Sequence, residues 1–173
     1  MSNYGKRPKD HTQYERLQYQ CWRSWMSNTL FGQLPSDLQA VIKSVNKLTS
    51  AGNNSPSIVT SSDKLWLPSY TEVGFAHNPS YSPGGEGSAY PLFISDASRI
   101  KTVNGSAAHW WLRSPYATNT TNFDNVNSNG SYNNNNASNT YAVAAGLCAV
   151  RQSNPRVKSV HTQKEYMTFP EAG

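Results

Sequence analysis

The sequence predicts an α+β domain in which two helices pack on a small, mainly antiparallel sheet with long loops. Three observations predict it. Apolar residues recur at three- and four-residue steps between Tyr14 and Leu48, the period of a helix buried on one face. Two apolar stretches, Trp110-Trp111-Leu112 and Thr140 to Arg151, read as buried strands. The chain between and beyond them is rich in Gly, Pro, Asn and Ser, the residues of turns and loops.

The first helix is expected from Tyr14 to Phe31, with Leu17, Cys21, Trp22, Trp25 and Met26 on one stripe and Gly32 as its stop. Pro35-Ser36-Asp37 opens a second, with Leu38, Val41, Ile42, Val45 and Leu48 on its inner face. Gly52 to Pro56 is a loop by composition. Lys64 to Ser69 reads as a short strand running into a turn, where Ser69 and Glu72 have capping-box spacing. Asn78 to Gly87 is a loop, and Ser95 to Arg99 a helical turn leading to Ile100. Trp110-Trp111-Leu112 is a central strand, Phe123 to Val126 another, and Ser128-Asn129-Gly130 a hairpin turn. The last strand, Thr140 to Arg151, is apolar on both faces and expected to be buried on both.

Length and composition set the frame. The chain has 173 residues, a formal net charge of +5, 36% hydrophobic and 14% charged residues. That length suits one domain. Sparse charge together with five Trp and ten Tyr argues against disorder, because aromatic rings bury much area per residue. The expected division is a basic segment 1–13, a folded domain 14–151 and a tail 152–173 in which Pro155 disfavours a central strand. Lys6, Arg7 and Lys9 near one end, and Arg151, Arg156, Lys158 and Lys164 near the other, read as basic surface. No nucleic-acid partner is expected, since the aromatics look core-bound and are not interleaved with Lys and Arg as stacking platforms. Met1 is followed by polar and basic residues without the apolar run of a signal peptide, and no segment is long and apolar enough for membrane insertion. Cys21 and Cys148 lack metal or redox spacing and are expected as two small buried thiols.

Ten asparagines fall between Thr118 and Asn139. A core does not use so many amides, because each buried one must find partners or cost free energy. The tract is therefore expected as a solvated surface held at both ends by the folded body, a binding face more than an active site. The sequons within it, such as Asn119-Thr120-Thr121, arise by chance in so Asn- and Ser-rich a stretch.

Catalytic and metal signals are weak. His109 lacks a nucleophile elbow or paired acid and reads as structural, with His11, His77 and His161 as surface residues. The carboxylates do not cluster at metal-ligand spacing, so no metal is expected. Gly84-Gly85-Glu86-Gly87 lacks the Lys-Ser/Thr of a phosphate loop, and no cofactor is expected. Arg113, packed beside two indoles, reads as a structural cation paired with Asp96 or Glu72. Trp66, Trp110 and Trp111 read with it as the structural frame.

A resemblance rests on Leu65-Trp66-Leu67-Pro68-Ser69 with Glu72, Tyr90-Pro91-Leu92-Phe93, Ser98-Arg99-Ile100-Lys101, and above all Trp110-Trp111-Leu112-Arg113-Ser114-Pro115 followed by Phe123, Val126 and Gly130. With Trp22 to Met26 and Leu30-Phe31 in front, these resemble a domain family of gut bacteria and their phages over most of residues 14–151. That family is similar to the C-type-lectin-like fold shared with formylglycine-generating enzymes, which also serves the variable proteins of diversity-generating retroelements. There, adenines of a template copy are mutated and written into the 3′ part of a gene, and asparagine codons are favoured targets. The resemblance implies a variable region over about 109–151. Gly146 to Arg151 stands where such domains often end in Gly-Val-Arg-Pro, Cys148 lacks the second cysteine of the oxidising enzymes, and no Glu-Pro-Asn or Gln-Pro-Asp string of calcium lectins occurs.

The expectation is thus a non-catalytic ligand-binding and display protein on a phage virion or bacterial cell surface. Tyr116, Asn119, Asn122, Asn127, Asn129, Tyr132, Asn133, Asn134, Asn135, Asn136 and Asn139 would form its ligand-binding face. The ligand would be a protein or glycan on a cell surface, and a homo-oligomer or larger virion assembly stays open. The alternatives are a structural virion domain, for the tail or capsid decoration, and a degenerate enzyme of the formylglycine-generating kind.

Overall fold

The computed structural model describes residues 12–150 apart from 53, 54, 56 and 83, and only the backbone of 12–18. The basic cluster at Lys6, Arg7 and Lys9, the tail with Arg151, Arg156, Lys158 and Lys164, His11, His161 and the Leu17 side chain lie outside the described residues. Among the described residues three α-helices accompany ten strands in small antiparallel sheets, so the fold is of mixed α and β class, as expected.

Helix α1 (Thr12–Trp25) runs on through a π-helical turn at Met26–Leu30 and a 3₁₀ turn at Phe31–Gln33. The expected stop at Gly32 thus falls inside a tightening last turn rather than after it. The stripe is also rotated: Tyr19 and Met26 are buried, whereas Trp25 and Cys21 are exposed. Cys148 is half-buried, so the pair of buried thiols expected from the sequence is not formed.

The expected second helix is cut short. Helix α2 covers only Ser36–Val41, after which the backbone turns extended at Ile42 and continues as β1 (Ile42–Lys43) and β2 (Val45–Ser50). Strand β2 pairs in register with β3 (Ile58–Asp63), from Val45 opposite Asp63 to Ser50 opposite Ile58. Its polar residues Lys47 and Thr49 point inward while Leu48 is exposed. The cause is the carboxylate of Glu72, which Lys47 Nζ bonds inside the protein, so the lysine and not the leucine is the buried partner.

Strand β4 (Leu65–Trp66) leads into a turn where Ser69 and Glu72 form the expected reciprocal bonds. Helix α3 (Asp96–Arg99) is capped by Ser95. A hairpin follows, β5 (Lys101–Val103) and β6 (Ser106–Ala108), turned by Asn104 and Gly105 at φ 50° and 82°, the positive values an Asn-Gly two-residue turn supplies.

The centre of the molecule is a three-stranded sheet of β7 (Trp110–Pro115), β8 (Asn122–Val126) and β9 (Tyr132–Asn136), in that order. Successive side chains of a strand point to opposite faces, and both faces of this sheet carry a core. Trp111 and Phe123 join Met26, Ile42, Leu65 and Leu67 on one side. Trp110, Leu112 and Val126 join Val73 and Phe93 on the other. Burying one such large side chain contributes about 1.5–3 kcal/mol, so this double burial of β7 dominates the packing.

The last expected strand is shorter than its apolar pattern. Only Gly146–Ala149 forms β10, which lies between β1 and β4 and is half exposed. Tyr141 instead leaves the strand path to pack its ring on Trp111 and His109, and Ala142 bridges Trp110. Among the described residues no helix is long and apolar enough to cross a membrane.

Candidate functional site

The asparagine tract is not a free solvated loop. Strand β8 pairs on both sides, and Phe123, Asp124, Asn125 and Val126 are buried. Strand β9 is the half-buried edge, built from Tyr132 and the four asparagines Asn133 to Asn136. Asparagine is depleted in strands. Here the amides bond one another: Asn122 Nδ2 donates to Asn134 Oδ1 at 2.9 Å, Asn133 Nδ2 to Asn127 Oδ1 at 3.1 Å and Asn135 Nδ2 to Asn125 Oδ1 at 3.0 Å, while the buried Asn125 Nδ2 has no partner among the described residues. A cross-strand amide ladder thus replaces the apolar pairs of an ordinary hairpin.

The other sequence-predicted residues separate into groups. Asn119, Asn129, Asn136 and Asn139 are exposed. Asn119 and Asn139 lie at the end of the sheet where Asn122 faces Asn136, and Asn129 sits in the hairpin turn at the other end. Five strand residues separate those ends by roughly 14 Å, so the candidates form a strip along the edge and not one patch. Trp66, Trp110, Trp111 and Arg113 are all buried.

Tyr116 and Tyr132 belong to a line of rings. Tyr132 stacks on Tyr81 with centroids 4.5 Å apart, Tyr81 stacks on Tyr116 at 6.2 Å, and Tyr70 and Phe75 meet Tyr132 edge-on. Tyr132 is therefore half packed into the body. Its hydroxyl donates to Asp124 Oδ1 at 2.9 Å. Tyr81 was not legible from the sequence, where its only signal is an aromatic residue in a loop of Gly and Pro. Half-buried Tyr81, Tyr116 and Tyr132 border Asn122 and Asn134 on one side of the sheet edge. Tyrosine offers contact area at low entropic cost and asparagine adaptable hydrogen bonds, the chemistry of a recognition surface.

The strand β7 on the other side of β8 carries part of a buried charged frame. Arg113 is fully buried and donates to the carbonyls of Leu48, Leu67 and Glu86, to Thr49 Oγ1 and to the Glu72 carboxylate. The partner is thus Glu72; Asp96 instead binds Arg99 at 2.7 Å. Lys47 completes the group by bonding Glu72 and the Tyr90 hydroxyl, with its ammonium 4.6 Å from the Trp66 ring. Glu86, buried beside them, accepts from Ser82, Ser114 and the Ser50 amide.

These carboxyls titrate in opposite directions. Burial works to raise Glu72, but the bond and charge of Arg113, then those of Lys47, outweigh it and hold the group below its ordinary 4.5. Its contribution to stability is present above that value and is lost as pH falls below it. Asp124 is raised well above 3.8 by burial; the bond from Tyr132 offsets this in part, and the Glu86 charge adds to it. Glu86 is likewise raised from 4.5 by burial, which Arg113 and its serine and amide donors only partly counter. Burial and the Asp124 charge push the Tyr70 hydroxyl up to about 12, and burial followed by Asp124 raises Tyr132 as well.

A raised acid binds its proton more tightly folded than unfolded, so Asp124 costs nothing below 3.8 and lowers stability as pH rises from there toward its folded value. Its Oδ2 finds no hydrogen-bond partner among the described residues. Asp124→Asn is expected to gain on the order of 1 kcal/mol over the wild type at pH 7, comparable with one unsatisfied buried group. Urea unfolding from pH 3.5 to 7.5 checks this. The margin should widen with pH, and parallel curves would contradict it.

No curated protein and no solved structure matches the chain. A family model described as a domain of unknown function matches residues 2–151, and on that match the chain belongs to the DUF6273 family.

Proposed function

We propose that this domain is a non-catalytic recognition protein of C-type-lectin-like fold, the variable protein of a diversity-generating retroelement in a phage or gut bacterium. The observation that carries the reading is the sheet edge itself. There, asparagine amides and three tyrosines line one strip of a sheet whose opposite strand, β7, carries Arg113 and the paired indoles locked by burial. Such a frame holds its shape while the residues of the strip change. The ligand would be a protein or glycan on a cell surface, met from a virion or from the bacterial surface.

The amide ladder refines which residues are free to change. Asn119, Asn129, Asn136 and Asn139 are exposed, and replacing them disturbs little packing. Asn125 is fully buried, and Asn135 donates to it. An all-asparagine strip binds weakly by itself, since hot spots need aromatic or Arg anchors, so tyrosine would be a productive replacement.

One observation favours a second reading. The amides of Asn122, Asn125, Asn127 and Asn133 to Asn135 engage one another, which suits a fixed structural domain of a virion as well as a variable face. Genetic context separates the two. The display reading expects a reverse transcriptase gene and a near-repeat of codons 109–151 in the flanking DNA. A locus with neither, and with a constant tract in sibling isolates, favours the structural reading.

A further inference from the structure

Two Asn-Gly pairs occur in the chain, and the fold treats them differently. Asn104 and Gly105 make the two-residue turn of the β5–β6 hairpin, and both are exposed. Among the described residues the Asn104 side chain makes no hydrogen bond and the Gly105 amide has no acceptor. A Cβ at Gly105 would have nothing within 4 Å, so the space around the turn is open. Strands β5 and β6 pair only with each other, over three residues each. A two-stranded hairpin is marginally stable by itself, so this one opens at lower cost than the sheet of β7 to β9.

Asn129 and Gly130 are held instead. Asn129 Oδ1 accepts from the Ser131 amide at 3.1 Å and from Ser131 Oγ at 2.7 Å, and the Gly130 amide donates to the Asn127 carbonyl at 2.9 Å. Gly130 is buried against the Asp96 carbonyl, and its hairpin is part of the central sheet.

An asparagine followed by glycine readily loses its side-chain amide, because no Cβ on the second residue hinders approach of its backbone nitrogen. That nitrogen gives its proton to water and bonds Cγ of the asparagine. The Cγ–Nδ2 bond breaks, and ammonia leaves with a proton taken from water. A second water opens the five-membered ring at either carbonyl, to aspartate or to isoaspartate, whose backbone runs through Cγ. Nothing is oxidised or reduced; water enters and ammonia departs. Ring closure requires rotation of the Asn104 backbone, so it proceeds from the opened hairpin, where neither reacting group has a hydrogen bond left to break.

We propose that Asn104 is a site of spontaneous covalent modification, converted to aspartate and isoaspartate by attack of the Gly105 nitrogen, while the fold protects Asn129. Either product carries a new negative charge. Isoaspartate also adds a backbone carbon to a two-residue turn, so the β5–β6 pairing cannot keep its register. The inference does not rest on the display reading, because Asn104 lies outside the predicted binding face.

The test is incubation of the full chain in mildly alkaline buffer, then tryptic digestion and mass spectrometry. Cleavage after Lys101, Arg113 and Arg151 places Asn104 and Asn129 in separate peptides. Deamidation adds about one dalton, and isoaspartyl methyltransferase labels the isoaspartate product. In the native chain Asn104 should react at least about tenfold faster than Asn129, the gap between a cheaply opened hairpin and a central one. In concentrated urea the two should react at similar rates, because only the fold separates them. The proposal is overturned if Asn104 reacts no faster than Asn129 in the native chain, or if the same gap persists in urea.

Discussion

Replacing Arg113 with methionine is expected to destabilise the domain by about 3–5 kcal/mol, the cost of removing one member of a buried ion pair. For a chain of this size that lowers the thermal midpoint by roughly 6–20 °C. The effect is large because the guanidinium joins four separate segments. It holds the β2 backbone at Leu48, the carbonyl of Leu67 after β4, the Glu72 turn and the Glu86 loop. Without it, Glu72 keeps only Lys47 and the Ser69 amide as donors, and the buried carbonyls of Leu67 and Glu86 and the part-buried one of Leu48 lose a partner. Arg113→Lys should recover less than half of the loss, because a single ammonium cannot reach so many acceptors. Urea unfolding of the two variants measures this. A loss under about 1 kcal/mol for methionine, the range of a surface ion pair, would show that the frame is not held as described.

Gly130→Ala should be nearly as costly. Gly130 closes the β8–β9 hairpin at φ 86°, and a Cβ there would lie 1.8 Å from the Asp96 carbonyl oxygen. The obstacle is backbone, so no rotamer change relieves it. The left-handed conformation and the forced displacement together cost about 2–6 kcal/mol. The hairpin tip would have to leave the α3 turn, and the amide ladder would lose its register. Hydrogen exchange should show the β9 amides losing protection before those of β7. Unchanged stability and protection in the variant would mean that the tip does not sit on Asp96.

Much of this arrangement was legible in the sequence, for identifiable reasons. The first helix followed from its period, the Ser69–Glu72 turn from its spacing, and β7 from a run of indoles that only a buried strand accommodates. Arg113 stood out because a cation between two Trp and a Pro needs an acceptor, though the choice between Glu72 and Asp96 required the fold. Other elements were hidden. Leu38, Val41, Ile42, Val45 and Leu48 fit a helical stripe, but Lys47 is the inward residue, and pattern reasoning assigns lysine to solvent. Strand β9 was hidden because four asparagines carry no strand signal until the partners of three of them, at Asn122, Asn125 and Asn127, are known. The Asn104-Gly105 dipeptide is a turn signal, but the short strands on either side carry too little apolar pattern to mark a hairpin. Tyr132 looked like an exposed contact residue; its burial depends on Tyr81, which sits fifty-one positions away in a loop.

The central claim is that a locked frame carries a strip whose residues can be exchanged. The most direct measurement is the sequence of this locus across sibling isolates, read position by position. The account predicts substitutions at Asn119, Asn129, Asn136 and Asn139, through codon changes confined to adenines, while Trp110, Trp111, Arg113, Asn125 and Gly130 stay constant. Isolates that differ freely elsewhere in the gene but keep the whole strip unchanged would contradict it.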